Sequence, residues 1–391
     1  MPARHTGDHA AARGVAPKRV LILLSEVFAD GGIQRFNRTF LAACAQLPLH
    51  CDVFSFADTE ASARTAPPAP NTTVRVFGRS KLRFTQATAQ ALLSGGYEYV
   101  VIGHVHMLEM VVAAAALRAF QGPQLMLVAH GVEIWTGVRG ARRAALRAVR
   151  QILCVSEFTK MMIQKQAPEL SAERFTIFPN ALSDTWVARQ HAADLARVEP
   201  QPAHTLPERF ILSVARLSRQ DRAKGILSVI EALASLEDRD LHYVVAGTGD
   251  DMDFLRQTVA RHGVTDRVHF LGAVTDQQLV TCYRSCMAFV LPSGQEGFGI
   301  VFLEAMFFGA PVVAAREKGA VDVVEDGRTG LLVAFGDVVG LKAAIERVLG
   351  DASLRHRLVE NARTTVTDHG VFTFEAFVAR VGRLLATSRD D

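Results

Sequence analysis

Two glutamates stand in an otherwise apolar stretch of the chain. Glu296 lies in the glycine-bearing loop 293–299, and Glu304 lies in a helix predicted over 299–309, whose other residues are all apolar or glycine. An unpaired buried carboxylate is costly, so Glu304 needs a strong hydrogen-bond donor or a wet cleft beside it. Because helical side chains lean toward the N-terminus, Glu304 can point at the same mouth as Glu296.

The loop before this helix also suits an anion. Gly297 and Gly299 permit close backbone approach on either side of Phe298, and free amides at a helix N-terminus favour a phosphate. A carboxylate can accept from two adjacent hydroxyls. A ligand with a diphosphate in the middle and a sugar with adjacent hydroxyls at each end would satisfy all of these preferences. Such a ligand is a nucleotide-sugar. The alternative is a helix-terminal acid favoured by the helix dipole, with a structural Glu–Arg pair deeper in.

Cations and glycines elsewhere favour the nucleotide-sugar. Arg216 follows an apolar run, and Lys224 precedes the next helical stretch, where cations can neutralise a diphosphate leaving group. The alternative for both is a solvated surface, and neighbouring Arg222 receives no role. Gly31 and Gly32 lie in the first strand-to-helix turn, where a doubly wound domain brings its backbone near phosphates, although neither GxGxxG nor a P-loop is present.

Thirteen short apolar runs must position these residues, beginning with "RVLILL" (19–24) and ending with "GLLVA" (330–334). Continuous rather than alternating runs indicate parallel strands covered on both faces. The polar, proline-bearing stretch 198–208 separates seven runs from six. The sequence therefore predicts an α/β protein with two Rossmann-like, doubly wound parallel sheets that face a central cleft.

Composition sets limits on the class of protein. A chain of 391 residues with 49% hydrophobic and 21% charged residues is typical of a soluble two-domain α/β protein, and a net charge of +3 argues against a nucleic-acid binder. Five cysteines without a CxxC pair indicate neither a disulfide framework nor a zinc ribbon. With no signal-peptide or membrane-spanning run in view, we expect a cytoplasmic protein.

Motifs along nearly the whole chain resemble the family 4 retaining glycosyltransferases of the two-domain GT-B fold. The most specific is the pair of glutamates, eight positions apart, within "PSGQEGFGIVFLEAMFFGAPVVA". The others are "DGGIQRFNR" (30–38), "AHGVEIW" (129–135), "CVSEFTK" (154–160), "SVARLSRQDRAKG" (213–225), "VAGTGDD" (245–251), "HFLGAV" (269–274) and "EDGRTGLLV" (325–333).

The resemblance implies roles for individual residues. Glu296 would contact the donor sugar and Glu304 the ribose, while Arg216 and Lys224 grip the diphosphate. His130 would lie beside the reacting sugar. The implied catalytic residues are His130, Glu296, Arg216 and Lys224. The implied donor-binding residues are Gly31, Gly32, Arg216, Lys224, Glu296, Gly297, Phe298, Gly299 and Glu304.

The resemblance also implies the chemistry and the division of the chain. A hexosyl unit from GDP-mannose or a UDP-sugar would pass, with retention, to a sugar or lipid-linked acceptor in polysaccharide or glycolipid synthesis. The expected divisions are a disordered lead over 1–17, an acceptor-side domain over 18–190, a linker over 191–208, a donor domain over 209–371, and a C-terminal helix over 372–391 that packs back on the first domain.

Other functions remain open or are disfavoured. A glycoside hydrolase needs two carboxylates flanking the scissile bond and has no need of Arg216 and Lys224. Asp251 and Asp253 resemble a metal-binding DxD, but they more simply open a helix, so we expect neither a metal nor another cofactor. A nucleotide-sugar epimerase on the same fold and a binding-only protein remain the alternatives.

A row of arginines bears on the acceptor. Five arginines between 138 and 151 fall at helical offsets that put them on one face, and no acid interrupts them: Arg139, Arg142, Arg143, Arg147 and Arg150. Such a face can contact anionic lipid headgroups or a prenyl-diphosphate carrier at the inner face of a membrane, and the alternative is an ordinary solvated helix.

Overall fold

The computed structural model of the protein describes residues 17–29, 31–64, 71–116, 122–183, 206–368 and 370–386. The predicted lead, apart from residue 17, and the predicted linker up to residue 205 lie outside these ranges.

The first sheet contains seven parallel strands in the order β3-β2-β1-β4-β5-β6-β7. Its strands are β1 Lys18–Leu24, β2 Leu49–Ser55, β3 Thr72–Val76, β4 Tyr99–Ile102, β5 Gln124–Ala129, β6 Gln151–Cys154 and β7 Phe175–Ile177. Its helices are α1 Gly32–Ala45, α2 Glu60–Ala63, α3 Lys81–Ser94, α4 Leu108–Ala115, α5 Gly140–Ala148 and α6 Glu157–Gln166, with 3-10 turns at Val105–Met107 and Ala172–Arg174.

The second sheet has six parallel strands in the order β10-β9-β8-β11-β12-β13. Its strands are β8 Phe210–Val214, β9 His242–Ala246, β10 Val268–Gly272, β11 Ala288–Leu291, β12 Val312–Ala315 and β13 Gly330–Val333. Its helices are α7 Ile226–Ser235, α8 Met252–Arg261, α9 Asp276–Ser285, α10 Ile300–Phe307, α11 Val338–Gly350 and α12 Ala352–Thr367, with 3-10 turns at Arg219–Lys224 and Lys318–Asp322.

The continuous apolar runs form central strands, as predicted. In β1, Ile22 is fully buried and is paired in parallel register with Val53 of β2 on one side and Val101 of β4 on the other. A strand hydrogen-bonded on both sides and covered on both faces has no polar side to display, which is why these runs do not alternate. The predicted fold class, two doubly wound parallel sheets, is confirmed.

The last helix of the described chain, α13 (Phe374–Ala386), lies against the first sheet's domain. The ring of Phe377 packs edge-on against Phe36 of α1 at 5.8 Å and against Phe178 at 5.0 Å between centroids. Just before this helix, the carbonyl of Phe372 accepts a hydrogen bond of 2.9 Å from the amide of Leu182. The chain therefore returns to the first domain after completing the second.

Two sequence expectations concern membrane-spanning helices and disulfide bonds. None of the helices in the described ranges is both long and apolar enough to cross a membrane. The five cysteines are free thiols, and all are buried: Cys44, Cys51, Cys154, Cys282 and Cys286.

Candidate functional site

The carboxyl ends of the two sheets meet at a pair of glycines. Gly297 follows β11, and a Cβ on it would collide with the carbonyl oxygen of His130, which follows β5. A Cβ on Gly131 would lie 2.7 Å from the Cα of Gly297. Only glycine lets the two backbones approach so closely, so the loop 293–299 touches the first domain where β5 ends.

The carboxylate of Glu296 is bound to a lysine on the neighbouring loop. Nζ of Lys224 lies 2.8 Å from Oε2 of Glu296, and the two side chains are 20% and 12% exposed. The main-chain carbonyl of Glu296 accepts from the amide of Gly319 at 3.0 Å. The structure therefore brings two of the predicted site residues, Glu296 and Lys224, together and pairs them with each other.

Glu304 is fully buried, and both of its oxygens are occupied. Oε1 accepts from Nη1 of Arg35, and Oε2 accepts from the hydroxyl of Tyr283 at 2.9 Å. Nη2 of Arg35 also lies 3.6 Å from Oδ1 of Asp276. The expectation that Glu304 points at the open mouth with Glu296 does not hold in this structure. A strong donor satisfies it instead, as the sequence allowed.

Arg35 is a residue that the sequence did not single out. It lies on α1 of the first domain, 269 positions from Glu304, so the ion pair crosses the cleft. The signal was present in "DGGIQRFNR", because a basic residue one turn into a helix that starts at a cleft can reach across it. Its partner could not be read from the sequence.

The N-terminus of α10 faces the first domain's glycines. Gly299 has a left-handed φ of 90° and precedes Ile300, the first residue of α10. A Cβ on Gly32 would lie 4.0 Å from the side chain of Ile300, and Gly31 precedes α1 at a φ of 150°. The first residues of α1 and α10 thus lie side by side, and the free amides of two helix N-termini favour an anion there. Phe298 is buried, with its ring edge-on to Phe372 at 6.0 Å.

The arginines near Lys224 are held by aspartates. Arg216 is exposed, and its Nη2 lies 3.2 Å from Oδ1 of Asp221. Arg222 binds Asp251 through two hydrogen bonds of 2.7 Å and lies 3.9 Å above the ring centroid of Phe254. Asp251 directly precedes α8, so the prediction that these acids open a helix is confirmed.

His130 lies at the end of β5 with its ring partly buried. Nε2 lies 3.0 Å from the carbonyl oxygen of Gly103, and since a carbonyl only accepts, Nε2 carries the proton. Burial lowers the pKa of His130 to about 4, although the hydrogen bond to Gly103 raises it, so the ring is neutral near pH 7. The ring is edge-on to Phe36 at 4.9 Å.

Three polar residues around His130 were also missed. His104 and His106 follow β4, and the Nδ1 of His104 accepts from the amide of His106 at 3.3 Å. Oε1 of Glu133 accepts from the amides of His130 and Gly131 at 2.7 and 3.1 Å. The signal was the His-x-His after a buried strand, because parallel strands end at one edge of the sheet.

The predicted row of five arginines does not form one helical face. Helix α5 is Gly140–Ala148, so Arg150 lies beyond its end. Arg139 precedes the helix in an extended conformation, and both Arg139 and Arg150 are exposed. The spacing predicted the helix but overestimated its length, because Val149 already adopts an extended conformation before β6.

The other three arginines meet acids from distant parts of the chain. Nε of Arg142 lies 2.9 Å from Oε1 of Glu109 on α4. Glu169 binds both Arg143, at 2.7 Å from its Nε, and Arg147, at 3.1 Å. These arginines lower the pKa of Glu169 to about 2, chiefly through the hydrogen bond from Arg143. The face is therefore much less basic than the sequence indicated.

Within the ranges that the structure describes, no group of three or more histidine, cysteine or acidic side chains is arranged to hold a metal ion. The anion-favouring groups of the cleft are amides, lysine and arginine.

Comparison with known proteins agrees with this arrangement. The fold and the strand-end cleft define a two-domain GT-B protein. Residues 30–185 match the family described as Glycosyltransferase Family 4, and residues 197–365 match the family described as Glycosyl transferases group 1. Glycogen synthase from Mycobacterium tuberculosis is 30% identical over 312 residues, covering 74% of this chain and 72% of that protein. The chain belongs to the family 4 glycosyltransferases.

Other relatives align over shorter regions. Alpha-D-kanosaminyltransferase from Streptomyces kanamyceticus is 31% identical over 57% of each chain. Phosphatidyl-myo-inositol mannosyltransferase from Mycobacterium leprae is 32% identical over 45% of this chain and 47% of that protein. Apart from glycogen synthase, the chain spans between 38% and 57% of the length of the most similar curated relatives.

Solved structures share the fold over nearly the whole chain. Sucrose-phosphate synthase from Thermosynechococcus elongatus superimposes with a TM-score of 0.74 at 22% identity, covering 94% of this chain and 98% of that one. Anabaena Alr3699/HepE in complex with UDP-glucose gives a TM-score of 0.74 at 21% identity, covering 94% and 99%. At these identities the likeness shows the fold alone.

Proposed function

We propose that this protein is a retaining hexosyltransferase that moves a sugar from a nucleotide-diphosphate donor to a sugar or lipid-linked acceptor in polysaccharide or glycolipid synthesis. The observation that carries the proposal is the Glu296–Lys224 pair, held at 2.8 Å beside the N-terminus of α10. A carboxylate for sugar hydroxyls and a cation for phosphate stand side by side there, which is what a nucleotide-sugar requires.

The diphosphate lies between the two helix N-termini. The free amides of α10 bind it from the second domain, and Gly31 and Gly32 cover it from the first. Lys224 leaves Glu296 to neutralise charge on the leaving phosphate, and Arg216, exposed at the end of β8, supplies a second cation. Glu304 accepts a ribose hydroxyl at Oε1 when Arg35, on the first domain, moves away from it as the ligand enters.

Reaction begins when the bond between the anomeric carbon and the phosphate oxygen breaks through an oxocarbenium-like transition state. The acceptor hydroxyl attacks from the face that the diphosphate leaves, and its proton passes to the departing phosphate oxygen. Neutral His130 contacts the sugar without adding charge. The chain contributes mainly positioning and electrostatics, and the cations present can carry the leaving-group charge without a metal.

The donor is a UDP- or GDP-hexose. Anabaena Alr3699/HepE, which shares the fold, has been solved with UDP-glucose, and a relative is named a phosphatidyl-myo-inositol mannosyltransferase. These names support a hexosyl donor of this class without choosing the base.

Of these two kinds of acceptor, two observations favour a lipid-linked one. A relative in Rhizobium meliloti is named a lipopolysaccharide core biosynthesis glycosyltransferase, and exposed Arg139 and Arg150 flank α5 on the acceptor-side domain. These two arginines form a basic surface that could contact anionic lipid, smaller than the face of five arginines that the sequence predicted. Co-sedimentation with anionic vesicles that is unchanged in the Arg139→Gln/Arg150→Gln double variant would contradict membrane contact through this surface.

Calorimetric titration with UDP, GDP, ADP and CMP, with and without EDTA, tests the donor site. We expect tight binding of one diphosphate that chelation leaves unchanged and that Glu304→Ala weakens at least tenfold. The control is Glu360→Ala, which changes an exposed glutamate on α12. Binding of none of the four contradicts the proposal.

Product analysis then separates the remaining alternatives. The nucleotide-sugar of the base that binds is incubated with the protein and a panel of sugar and lipid acceptors. Transfer or slow donor hydrolysis supports the proposal. Conversion of the donor into its epimer indicates an epimerase, and an unchanged donor indicates a binding-only protein.

A further inference from the structure

Lys318 has a backbone conformation that an L-residue rarely adopts. Its φ is 61°, and among the described residues only Arg79 shares a positive φ without being glycine. Its neighbour fixes this conformation: the amide of Gly319 donates to the carbonyl of Glu296 at 3.0 Å, and a Cβ on Gly319 would collide with the carbonyl of Gly297. Strain of this kind is typical of functional positions.

The side chain of Lys318 reaches across the cleft. Its Nζ lies 5.1 Å from the ring centroid of Trp135, which follows β5 in the first domain. The indole is held in place because its Nε1 donates to Oγ1 of Thr159 at 3.1 Å and because Phe158 packs edge-on at 5.0 Å. Lys318 is therefore anchored beside Glu296 and rests on a rigid aromatic surface.

Lys318 also differs from the other cations of the cleft in its ion pairing. Lys224 pairs with Glu296, Arg35 with Glu304, and Arg216 with Asp221. In the part of the chain that the structure describes, no ion pair involves Lys318.

The acids on the same segment are already engaged. Both oxygens of Glu317 accept from the amide of Phe335, at 3.0 and 3.1 Å. Asp322 accepts from the amide of Glu157 at 2.8 Å, at the N-terminus of α6. Partial burial lowers the pKa of Lys318, as expected for a cation without a strong partner.

We propose that Lys318 binds an anionic group, a phosphate or carboxylate, on the acceptor next to the hydroxyl that receives the sugar. The assignment rests on the proposed function, because it takes the cleft to be the donor site. Glu296 separates the two lysines: its carboxylate binds Lys224 on the diphosphate side, and its carbonyl binds Gly319 on the Trp135 side. Lys318 thus lies on the side of the transferred sugar away from the leaving group.

The test uses the full-length protein saturated with the nucleotide it binds, so that the diphosphate site is filled. Inorganic phosphate, glucose 6-phosphate and glucose are titrated calorimetrically. We expect wild type to bind glucose 6-phosphate at least tenfold more tightly than glucose, and Lys318→Gln to lose this preference. Lys318→Arg retains most of it.

A second variant separates charge from folding. Lys318→Gly removes the cation and also relieves the positive φ, so we expect it to fold at least as stably as wild type and still lose the preference. Nucleotide affinity stays within a factor of two in every variant. A tenfold loss of nucleotide affinity would show that Lys318 serves the donor diphosphate and would overturn the assignment.

Other results of these titrations would contradict either the anion site at Lys318 or the proposed function. Equal binding of glucose 6-phosphate and glucose by wild type, or an unchanged preference in both Lys318→Gln and Lys318→Gly, contradicts the anion site. Failure of wild type to bind any nucleotide contradicts the proposed function instead. The Lys318 site is then decided by the same titrations without nucleotide, in which a preference that depends on Lys318 supports it and its absence overturns it.

Discussion

The guanidinium of Arg35, on the first domain, binds the fully buried carboxylate of Glu304 on the second. The ion pair joins the two domains through the residue that we propose to hold the ribose. Removing one partner of a buried pair leaves an uncompensated charge, which is far more costly than losing an exposed pair. The contact is therefore expected to stabilise the closed arrangement of the domains.

Arg35→Ala should weaken this closure. We expect the free energy of unfolding of the ligand-free protein to fall by up to about 3–5 kcal/mol, unless the domains separate and let water reach Glu304. Denaturant unfolding measures the first effect, and small-angle X-ray scattering measures the second as a larger radius of gyration.

Arg38→Ala is the matched control for that experiment. Arg38 lies on the same helix, but its guanidinium donates to the carbonyls of Val27 and Ala29 within the first domain. Its loss should lower stability without changing the radius of gyration. If Arg35→Ala changes neither quantity, the ion pair does not hold the domains together.

Tyr283 positions the other oxygen of Glu304. Its hydroxyl donates at 2.9 Å from a fully buried ring, so Tyr283→Phe removes a hydrogen bond to a charged group, worth about 1.5–3 kcal/mol. We also expect nucleotide affinity to fall several-fold, because the carboxylate is no longer held in one orientation. Calorimetry measures the affinity and denaturant unfolding the stability.

Tyr243 supplies the comparison. It is equally buried, and its hydroxyl donates at 2.7 Å from strand β9 to Oγ of Ser213 on the neighbouring strand β8. Tyr243→Phe should lower stability while leaving nucleotide affinity unchanged. Equal loss of affinity in both variants would mean that Tyr283 acts through general stability alone.

The Glu296–Lys224 pair predicts opposite effects of two conservative changes. Lys224→Gln should weaken binding of the nucleoside diphosphate about tenfold, because a phosphate partner is lost. Glu296→Gln should leave that binding unchanged or tighter, because Lys224 no longer has a competing carboxylate, while sugar transfer falls about 10²- to 10³-fold. Calorimetry and a transfer assay measure the two quantities. Weaker nucleotide binding in Glu296→Gln would contradict the assigned roles.

The sequence predicted the sheets well because each strand is a local signal. The residue types of a run such as "RVLILL" are enough to indicate a buried strand. The order of runs and helices then implies two doubly wound sheets. The sequence also singled out Glu296 and Lys224, which the structure pairs, because one lies in a loop before a helix and the other just before the next helix of the same sheet. The partners from other elements were beyond it, because a one-dimensional pattern carries no distance between Arg35 and Glu304 or between Arg143 and Glu169.

Backbone conformation explains why the sequence did not single out Lys318. Lys318 lies in "REKGAVD", where nothing in the residue types indicates a left-handed φ at a lysine. That conformation follows from the hydrogen bond between Gly319 and Glu296, which forms only when two loops of the second sheet are brought together. The predicted arginine face failed for a similar reason, since Glu109 and Glu169 approach α5 from other helices and loops.

Two partly buried histidines, His104 and His130, should make the fold sensitive to mild acid. Burial lowers the pKa of His104 and of His130 from the ordinary value of 6.5 to about 4. Nδ1 of His104 accepts a hydrogen bond from the amide of His106, which a protonated ring could not do. The unfolded chain binds protons at these histidines more readily than the folded chain does. The contribution of the two neutral rings to the free energy of unfolding is therefore complete above pH 6.5 and is lost as the pH falls toward 4.

The size of this effect is measurable by denaturant unfolding at pH 7, 6, 5 and 4.5. A shift of this size corresponds to about 3 kcal/mol for each histidine as an upper figure. His104→Gln and His130→Gln should each flatten the decline in unfolding free energy between pH 6.5 and 4, because glutamine takes up no proton. Exposed His356 on α12 provides the control variant, His356→Gln. A decline as steep in both cleft variants as in wild type would show that other groups, and not these histidines, take up the protons.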